Sequence, residues 1–528
     1  MGVWIQPEQL SHKTGLLRGV APDDATIILI EPSANDLSYT PHKKKLVLIL
    51  SLLRHFAEEL REEGRHVVLY RLDERRPDEG RLECLNGFIL ESSVERLRVM
   101  QSSEYDEQVF LESFAAQSKV PVDILPNDRF MVGREEFAQW HESEADPTME
   151  RFYETRRKQT GLLMEGGEPA GGHWNYDTEN RVPPVGNLPV PELPTFEPDP
   201  ITLGALETVE TYFADHPGST DGFCLPVRGA DIEEYVDDFI ENRLRLFGMY
   251  QDAMVSKSHV VYHSRLSAYL NHGLIEPMEL LRRVEEAYRS GTVPLNSAEG
   301  FIRQILGWRE YVHGIYWMRM PEYREENPLD HQESIPEMMR TGETLMKCVK
   351  SAVQHSLAEG YIHHIERLMI VGNFGLLIGV HPKNLIQWFR EMYVDSADWA
   401  TLPNVMGLLM ATDGAGEEHG DSFGSKPYAA SAHYIGTMSD YCKGCFYNGK
   451  KRLGEKACPF NYLYWNFVGS FQNQFQHNPR MKNAVQMYRL KPKNEKELIE
   501  KSSVKFLGKI RERGTDRVAP RAGTARNR

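Results

Sequence analysis

The sequence predicts an α/β, doubly wound parallel-sheet domain at the N-terminus, followed by a large all-α domain. Three observations predict it. Strand-like and helix-like patterns alternate over the first 130 residues, seven prolines crowd positions 183–200, and helical periodicity then dominates as far as about residue 478. The chain has 528 residues with 61 Lys and Arg against 76 Asp and Glu, enough for several packed domains.

Taking the elements in order, short apolar runs at 3–6, 25–31, 66–72, 87–91 and 120–125 read as strands. Between the second and third, residues 43–63 place Leu46, Val47, Ile49, Leu50, Leu52, Leu53, Phe56 and Leu60 on one stripe of a long helix. Alternation of this kind implies parallel strands joined by crossover helices. No G-x-G-x-x-G follows any strand, so the dinucleotide fingerprint is missing. Gly166, Gly167, Gly171, Gly172 and the prolines mark a semi-rigid connector. Helical patterns follow at 231–254, 276–290, 298–319, 342–359 and 361–377. The expected division is 1–135 for the α/β domain, 136–205 for the linker, 206–490 for the helical domain and 491–528 for a basic C-terminal tail. Between Pro479 and Arg528, 15 Lys and Arg face only 5 Asp and Glu, a footprint suited to phosphates on an otherwise acidic body. No apolar run approaches the roughly 20 residues of a membrane span. The N-terminus lacks a basic segment followed by an apolar one, and six cysteines are too few for a disulfide framework. A cytoplasmic prokaryotic protein, monomeric and without membrane contact, is expected.

Cysteines give the strongest chemical signal. Cys442-x-x-Cys445 and Cys458-Pro459 lie within 17 residues, with Cys348 upstream. Thiolates at this spacing suit an iron–sulfur cluster, and equally zinc; a fourth ligand comes from Cys348, Cys84, Cys224 or His433. The second signal is Tyr361-Ile-His-His-Ile-Glu-Arg367, where helical spacing lets one imidazole share a face with the guanidinium. A histidine beside a fixed cation has a lowered pKa and can be poised for proton transfer, although a satisfied structural pair is the plainer reading.

Four strings carry a resemblance. GFIRQILGWREYVHGIYW at 300–317, HSRLSAYLNHG at 263–273, YIHHIER at 361–367 and the SDYCKGCFYNGKKRLGEKACPFN segment resemble the photolyase/cryptochrome flavoproteins. Within them, the strings are similar to the prokaryotic iron–sulfur branch: bacterial (6-4) photolyases and their cryptochrome relatives. The resemblance implies FAD bound in the helical domain, with His263, Ser264, Leu266 and Ser267 at the diphosphate. Gln304, Trp308 and Arg309 would line the flavin cavity, and Arg367 and Asp395 would pair beside the ring. It also implies a [4Fe–4S] cluster on Cys348, Cys442, Cys445 and Cys458, and Trp388 as the proximal electron relay. The implied activity is blue-light repair of pyrimidine (6-4) photoproducts in UV-damaged DNA, with His364 as general acid. His363, Tyr428 and Tyr434 would shape the lesion pocket, and Asp177 would contact the lesion or a divalent cation such as Mg2+.

The family's Gly-Asp-Gln-Leu turn is Pro7-Glu8-Gln9-Leu10 here. Glu8, Asp36 and Tyr39 nevertheless match the pocket for a 6,7-dimethyl-8-ribityllumazine antenna. Arg340 and Phe389 stand where aromatic relays are expected, Thr401 stands where an acid is expected, and an acidic stretch occupies 414–424. The alternative is a cryptochrome-type blue-light photoreceptor without repair. An iron–sulfur protein related to the large primase subunit would explain the cysteines but not HSRLS or RQILGWRE.

Overall fold

In the computed structural model, which describes residues 1–76, 79–184, 186, 188–411 and 426–517, the first domain is a five-stranded parallel sheet in the order β3-β2-β1-β4-β5. Its strands are β1 (Gly2–Trp4), β2 (Thr26–Ile30), β3 (His66–Tyr70), β4 (Leu97–Met100) and β5 (Val122–Leu125). The helices α1 (Lys43–Glu62), α2 (Arg81–Glu91) and α3 (Tyr105–Gln117) cross between them. Side chains alternate faces along a strand, and this sequence uses both. Trp4, Ile28 and Ile30 pack with Phe88, Leu111 and Phe114 under α2 and α3. Val3, Ile5, Ile27 and Leu29 join α1 in a second core, continuous with the helical domain.

Two expectations for this domain need correction. Residues 87–91 are not a strand; they end α2, because Leu85, Phe88 and Ile89 bury one helical face. The fourth strand is Leu97–Met100, whose short apolar run carries little signal by itself.

The expected linker is only partly a linker. Arg134–Ser143 and Met149–Thr160 are helices (α4 and α5), and the ring of Phe137 packs against Gly314 and Tyr311 of the helical domain. The strand pair Met164–Glu165 and Glu168–Pro169 follows, then the proline-rich crossing.

Part of the basic tail is folded. Lys493–Arg513 is a helix, and its Ile499, Ser503, Phe506 and Ile510 are buried. Charge composition had masked a 3.6-residue apolar stripe. Phe506 meets Phe374 and Tyr462 edge-on, so Phe506→Ala is expected to destabilise the fold by about 3 kcal/mol. Denaturant unfolding at constant slope measures it.

Two histidines, His42 buried and His272 half-buried, tie the domains together. The His42 ring bonds the Leu357 carbonyl at 2.9 Å, and Gly218, at φ +78°, lets the backbone lie against that ring where a Cβ would collide. The His272 ring bonds the Pro7 carbonyl at 2.7 Å. Burial lowers both to about 4, against the pull of those carbonyls, with Lys44 and Arg129 respectively adding to the lowering. Both groups are therefore neutral in the fold and take up protons on unfolding once the pH drops below about 6.5. Their contribution, on the order of 3 kcal/mol each, is present above pH ~6.5 and is lost as pH falls towards 4. The melting temperature is expected to fall across that window.

Candidate functional site

Among the described residues four helical stretches loosen into π-helical turns, and three of them, at Arg303–Arg309, Arg367–Gly372 and Asn404–Leu409, carry or border expected site residues; such turns are frequent at functional sites. The first carries Gln304 and Trp308, the second Arg367. Across from them the 260–266 loop holds Val261 at φ +54° and Arg265 at φ +58°, left-handed conformations that a tightly packed site must impose.

This loop and the Arg367 helix build the first cluster. Arg367 pairs with Asp395 at 2.9 Å, Ser267 Oγ donates to Asp395 at 2.5 Å, and Asn271 donates to the Asp395 carbonyl at 2.9 Å. The guanidinium lies 4.0 Å over Tyr393 and donates from Nε to the Ile362 carbonyl at 2.7 Å. His263 stacks on His363 at 4.4 Å. The Ser264 hydroxyl accepts from the Leu266 amide, while the Leu266 side chain is fully buried. Ser264 and Ser267 keep some solvent access, as do His263, Arg367 and Asp395.

His364 is exposed, yet protein crowds around it. That crowding first, and Arg367 second, lower it to about 4, with Asp395 partly opposing them. At neutral pH it is a solvent-exposed, neutral imidazole beside a cation. The hydroxyls of Tyr235 and Tyr269 and the Arg265 Nε are buried without a partner. Phosphate-compatible hydroxyls, an Arg–Asp pair and unspent buried donors together fit a large polar cofactor such as FAD.

Other expected residues fall differently. Gln304 donates to the Gly300 carbonyl at 3.3 Å, and Trp308 is half-buried four residues on. Arg309 is turned elsewhere: it pairs with Glu310, donates to the Arg129 carbonyl at 3.1 Å and lies 4.2 Å over Phe130. Trp388 is buried, 5.9 Å from Tyr393 and 5.5 Å from Phe389, and Arg340 is exposed. Tyr434 donates to Asp252 at 3.1 Å; both tyrosines, 428 and 434, are raised by burial first. Asp177 is engaged by Arg303, which also donates to Glu299 at 2.9 Å. The 414–424 stretch lies outside the described residues.

Glu8, Asp36 and Tyr39 follow the carboxyl ends of β1 and β2, where open parallel sheets bind ligands. Glu8 accepts from Ser102 Oγ at 2.7 Å and the Ser103 amide at 2.8 Å. Asp36 accepts from Ser33 and from the Arg81 amide at 3.1 Å. Tyr39 lies under Arg390 at 4.4 Å, at the seam with the helical domain.

A second cluster gathers all four expected thiols. Cys348, Cys442, Cys445 and Cys458 line one pocket, walled by Met346, Ile435, Tyr441 and Phe460. Cys348 sits in the first turn of Lys347–Glu359, and Cys458 caps Pro459–Ser470. A Cβ on Gly436 or Gly449 would press against Cys442 Sγ at 3.4 Å. Burial raises the Cys348 thiol well above its usual range and Cys458 to about 12, and the neighbouring sulfurs add to both. Four such sulfurs ionise together only around positive charge. Among the described residues no three His, Cys, Asp or Glu side chains converge as for one metal ion.

Sequence reasoning missed Asp516, which lies beyond every motif. Fully buried, it accepts from Thr344 Oγ1 at 2.8 Å, the Leu345 amide at 3.0 Å and Tyr447 Oη at 2.9 Å, fastening the Cys348 helix to the Cys442–Cys445 loop. Cys84 is outside the pocket, accepting from Arg75 at 3.3 Å.

The fold and the two clusters define a class that comparison with known proteins bears out. A crystal structure of a class III photolyase from Agrobacterium tumefaciens superposes with a TM-score of 0.54 at 16% identity, covering 96% of this chain and 91% of that one. A cryptochrome from Synechocystis superposes with a TM-score of 0.53 at 12% identity, covering 97% and 98%. The architecture is that of the photolyases and cryptochromes. The family profile described as "Deoxyribodipyrimidine photo-lyase-related protein" matches residues 3–225. The (6-4) photolyase of Agrobacterium fabrum is 41% identical over 479 residues, 91% of this chain and 93% of that protein. The chain belongs to the photolyase/cryptochrome family, on the branch that includes this (6-4) photolyase. Among the described residues no helix is long and apolar enough to cross a membrane.

Proposed function

We propose that the protein is a light-driven DNA photolyase that reverts pyrimidine (6-4) photoproducts. The observation that carries the reading is His364, an accessible neutral imidazole beside the Arg367–Asp395 pair, on a chain 41% identical to a (6-4) photolyase. FAD would lie against His263, Ser264, Ser267, Arg367 and Asp395, with Gln304 and Trp308 at its edge; when bound and reduced it supplies the electron that light releases. Arg367, held by Asp395 and by the Ile362 carbonyl, presents fixed positive charge to an anionic ring. Its position is set before any ligand arrives, so little reorganisation is needed.

The rest of the chemistry belongs to the protein. Reversal of this lesion returns a hydroxyl or amino group to its original ring, and that transfer needs a proton donor. An anion bound beside His364 raises its proton affinity from its low value in the unliganded protein, so a ring nitrogen can hold and deliver the proton. Tyr428, and Tyr434 held by Asp252, would flank the base, which must leave the duplex to reach the cavity. Asp177, already engaged by Arg303, would border that cleft and is the residue available to a divalent cation. The four thiols, spaced around a pocket rather than converged on one point, suit a [4Fe–4S] cluster as a structural tie. Glu8, Asp36 and Tyr39 mark the place for a ribityllumazine antenna. Arg309 is left out of the flavin cavity and acts as a domain tie. The reduced protein should restore the pyrimidines of a (6-4)-containing oligonucleotide in blue light and leave them unrepaired in darkness. Failure by flavin-loaded, reduced protein would support the photoreceptor reading instead.

A further inference from the structure

A buried polar chain joins the histidine pair to the thiol pocket. His363 is fully buried, and neither of its ring nitrogens has a hydrogen-bond partner. Glu366, three residues on, is also fully buried, and among the described residues no lysine or arginine pairs with it. Its Oε1 accepts from Tyr441 Oη, and its Oε2, without a partner, lies 3.9 Å from His363 Nε2. Tyr441 in turn lines the thiol pocket and immediately precedes Cys442. Burying a lone carboxylate or imidazolium is costly, so both groups rest in their neutral forms. Burial raises Glu366 to about 8, the Tyr441 hydroxyl pulls it down and Asp440 pushes it further up; Tyr393 also faces it. His363 is pushed well below its usual range by burial, then by His263, His364, Arg367 and His259. A neutral acid and a neutral base, each lacking a partner, thus face one another. A small side-chain rotation closes the gap to hydrogen-bonding distance, with the acid O–H donating to Nε2. His363 then carries its own proton on Nδ1.

We propose that Glu366 is a positioning residue that fixes His363 in its Nδ1–H tautomer and ties the His363–His364 segment to the wall of the thiol pocket. Its consequence for repair rests on the reading of His364 as proton donor; the tautomer does not. The test uses holoprotein with ¹⁵N-labelled histidine rings, examined in darkness, with His363→Asn to assign the signal. Wild type and Glu366→Gln, whose amide also donates to Nε2, should show the Nδ1–H form. Glu366→Leu, which removes the donor and keeps an apolar filling, should shift His363 to the Nε2–H form. The Leu variant should also repair a bound lesion roughly tenfold more slowly with lesion affinity unchanged, whereas Gln retains the rate. An Nε2–H form in wild type, or an unchanged signal in the Leu variant, overturns the proposal. If the Leu variant does not fold, the infrared difference between wild type and Gln still decides: a protonated-carboxyl C=O stretch lost in Gln is expected, and its absence from wild type overturns the assignment. Because the tautomer is read without light, the repair reading and this one fail separately.

Discussion

Replacing His364 with alanine is expected to lower the rate of (6-4) repair by about a hundredfold or more, while bound flavin, thiol-pocket content and dark binding of the lesion stay near wild type. General acid catalysis is commonly worth about 10² to 10⁴. The side chain is exposed at the first position of the short helix His364–Glu366, so its removal leaves no buried cavity. The neighbouring Arg367–Asp395 pair does not depend on it, because Ser267, Asn271 and the Ile362 carbonyl hold that pair. Single-turnover repair under saturating blue light measures the loss. Repair within a few-fold of wild type would show that the proton comes from another group.

Cys348→Ser should have the largest structural effect. Cys348 is buried among Cys442, Cys445 and Cys458 at the first turn of its helix, and the other three sulfurs come from a loop and a second helix start. Whatever those sulfurs share therefore joins chain segments about a hundred residues apart. Binding free energy at such a site is folding free energy, so losing one ligand costs the group and much of the local fold. The variant is expected to be poorly soluble or free of iron and sulfide. Cys84→Ser is the control, since Cys84 lies under the sheet and should leave iron content unchanged. A soluble Cys348→Ser protein with full iron content would place the fourth ligand elsewhere.

Much of the architecture was legible because its periodicities are strong. The apolar stripe of residues 43–62 and the short apolar run of Val3, Trp4 and Ile5 each point at real packing faces. Residues 87–91 misled because a short apolar run such as Phe88–Leu90 fits a strand or a buried helix end equally well. The last helix was hidden by its charge: Ile499, Ser503, Phe506 and Ile510 are spaced as one stripe, but basic residues surround them. The site was legible where chemistry lies within a motif, as in HSRLS and YIHHIER. It was not legible where partners converge from distant segments. Arg309 sits inside a flavin-family string, yet the adjacent Glu310 and the approach of Phe130 draw it to the domain seam. Asp516 has no local signature; only the folded chain brings it to Thr344 and Tyr447.

Substrate choice tests the central claim most directly. Splitting a cyclobutane dimer needs no proton donor, whereas reversing a (6-4) photoproduct does, so the proposed role of the histidine beside Arg367 makes the second lesion the expected substrate. The measurement compares two oligonucleotides that differ only in carrying one (6-4) photoproduct or one cyclobutane dimer at the same pyrimidine pair, each incubated with reduced holoprotein in blue light and in darkness. Restored pyrimidines are expected only from the (6-4) substrate and only in light. Repair of the cyclobutane dimer alone, or of neither by protein that retains reduced FAD, would contradict the account.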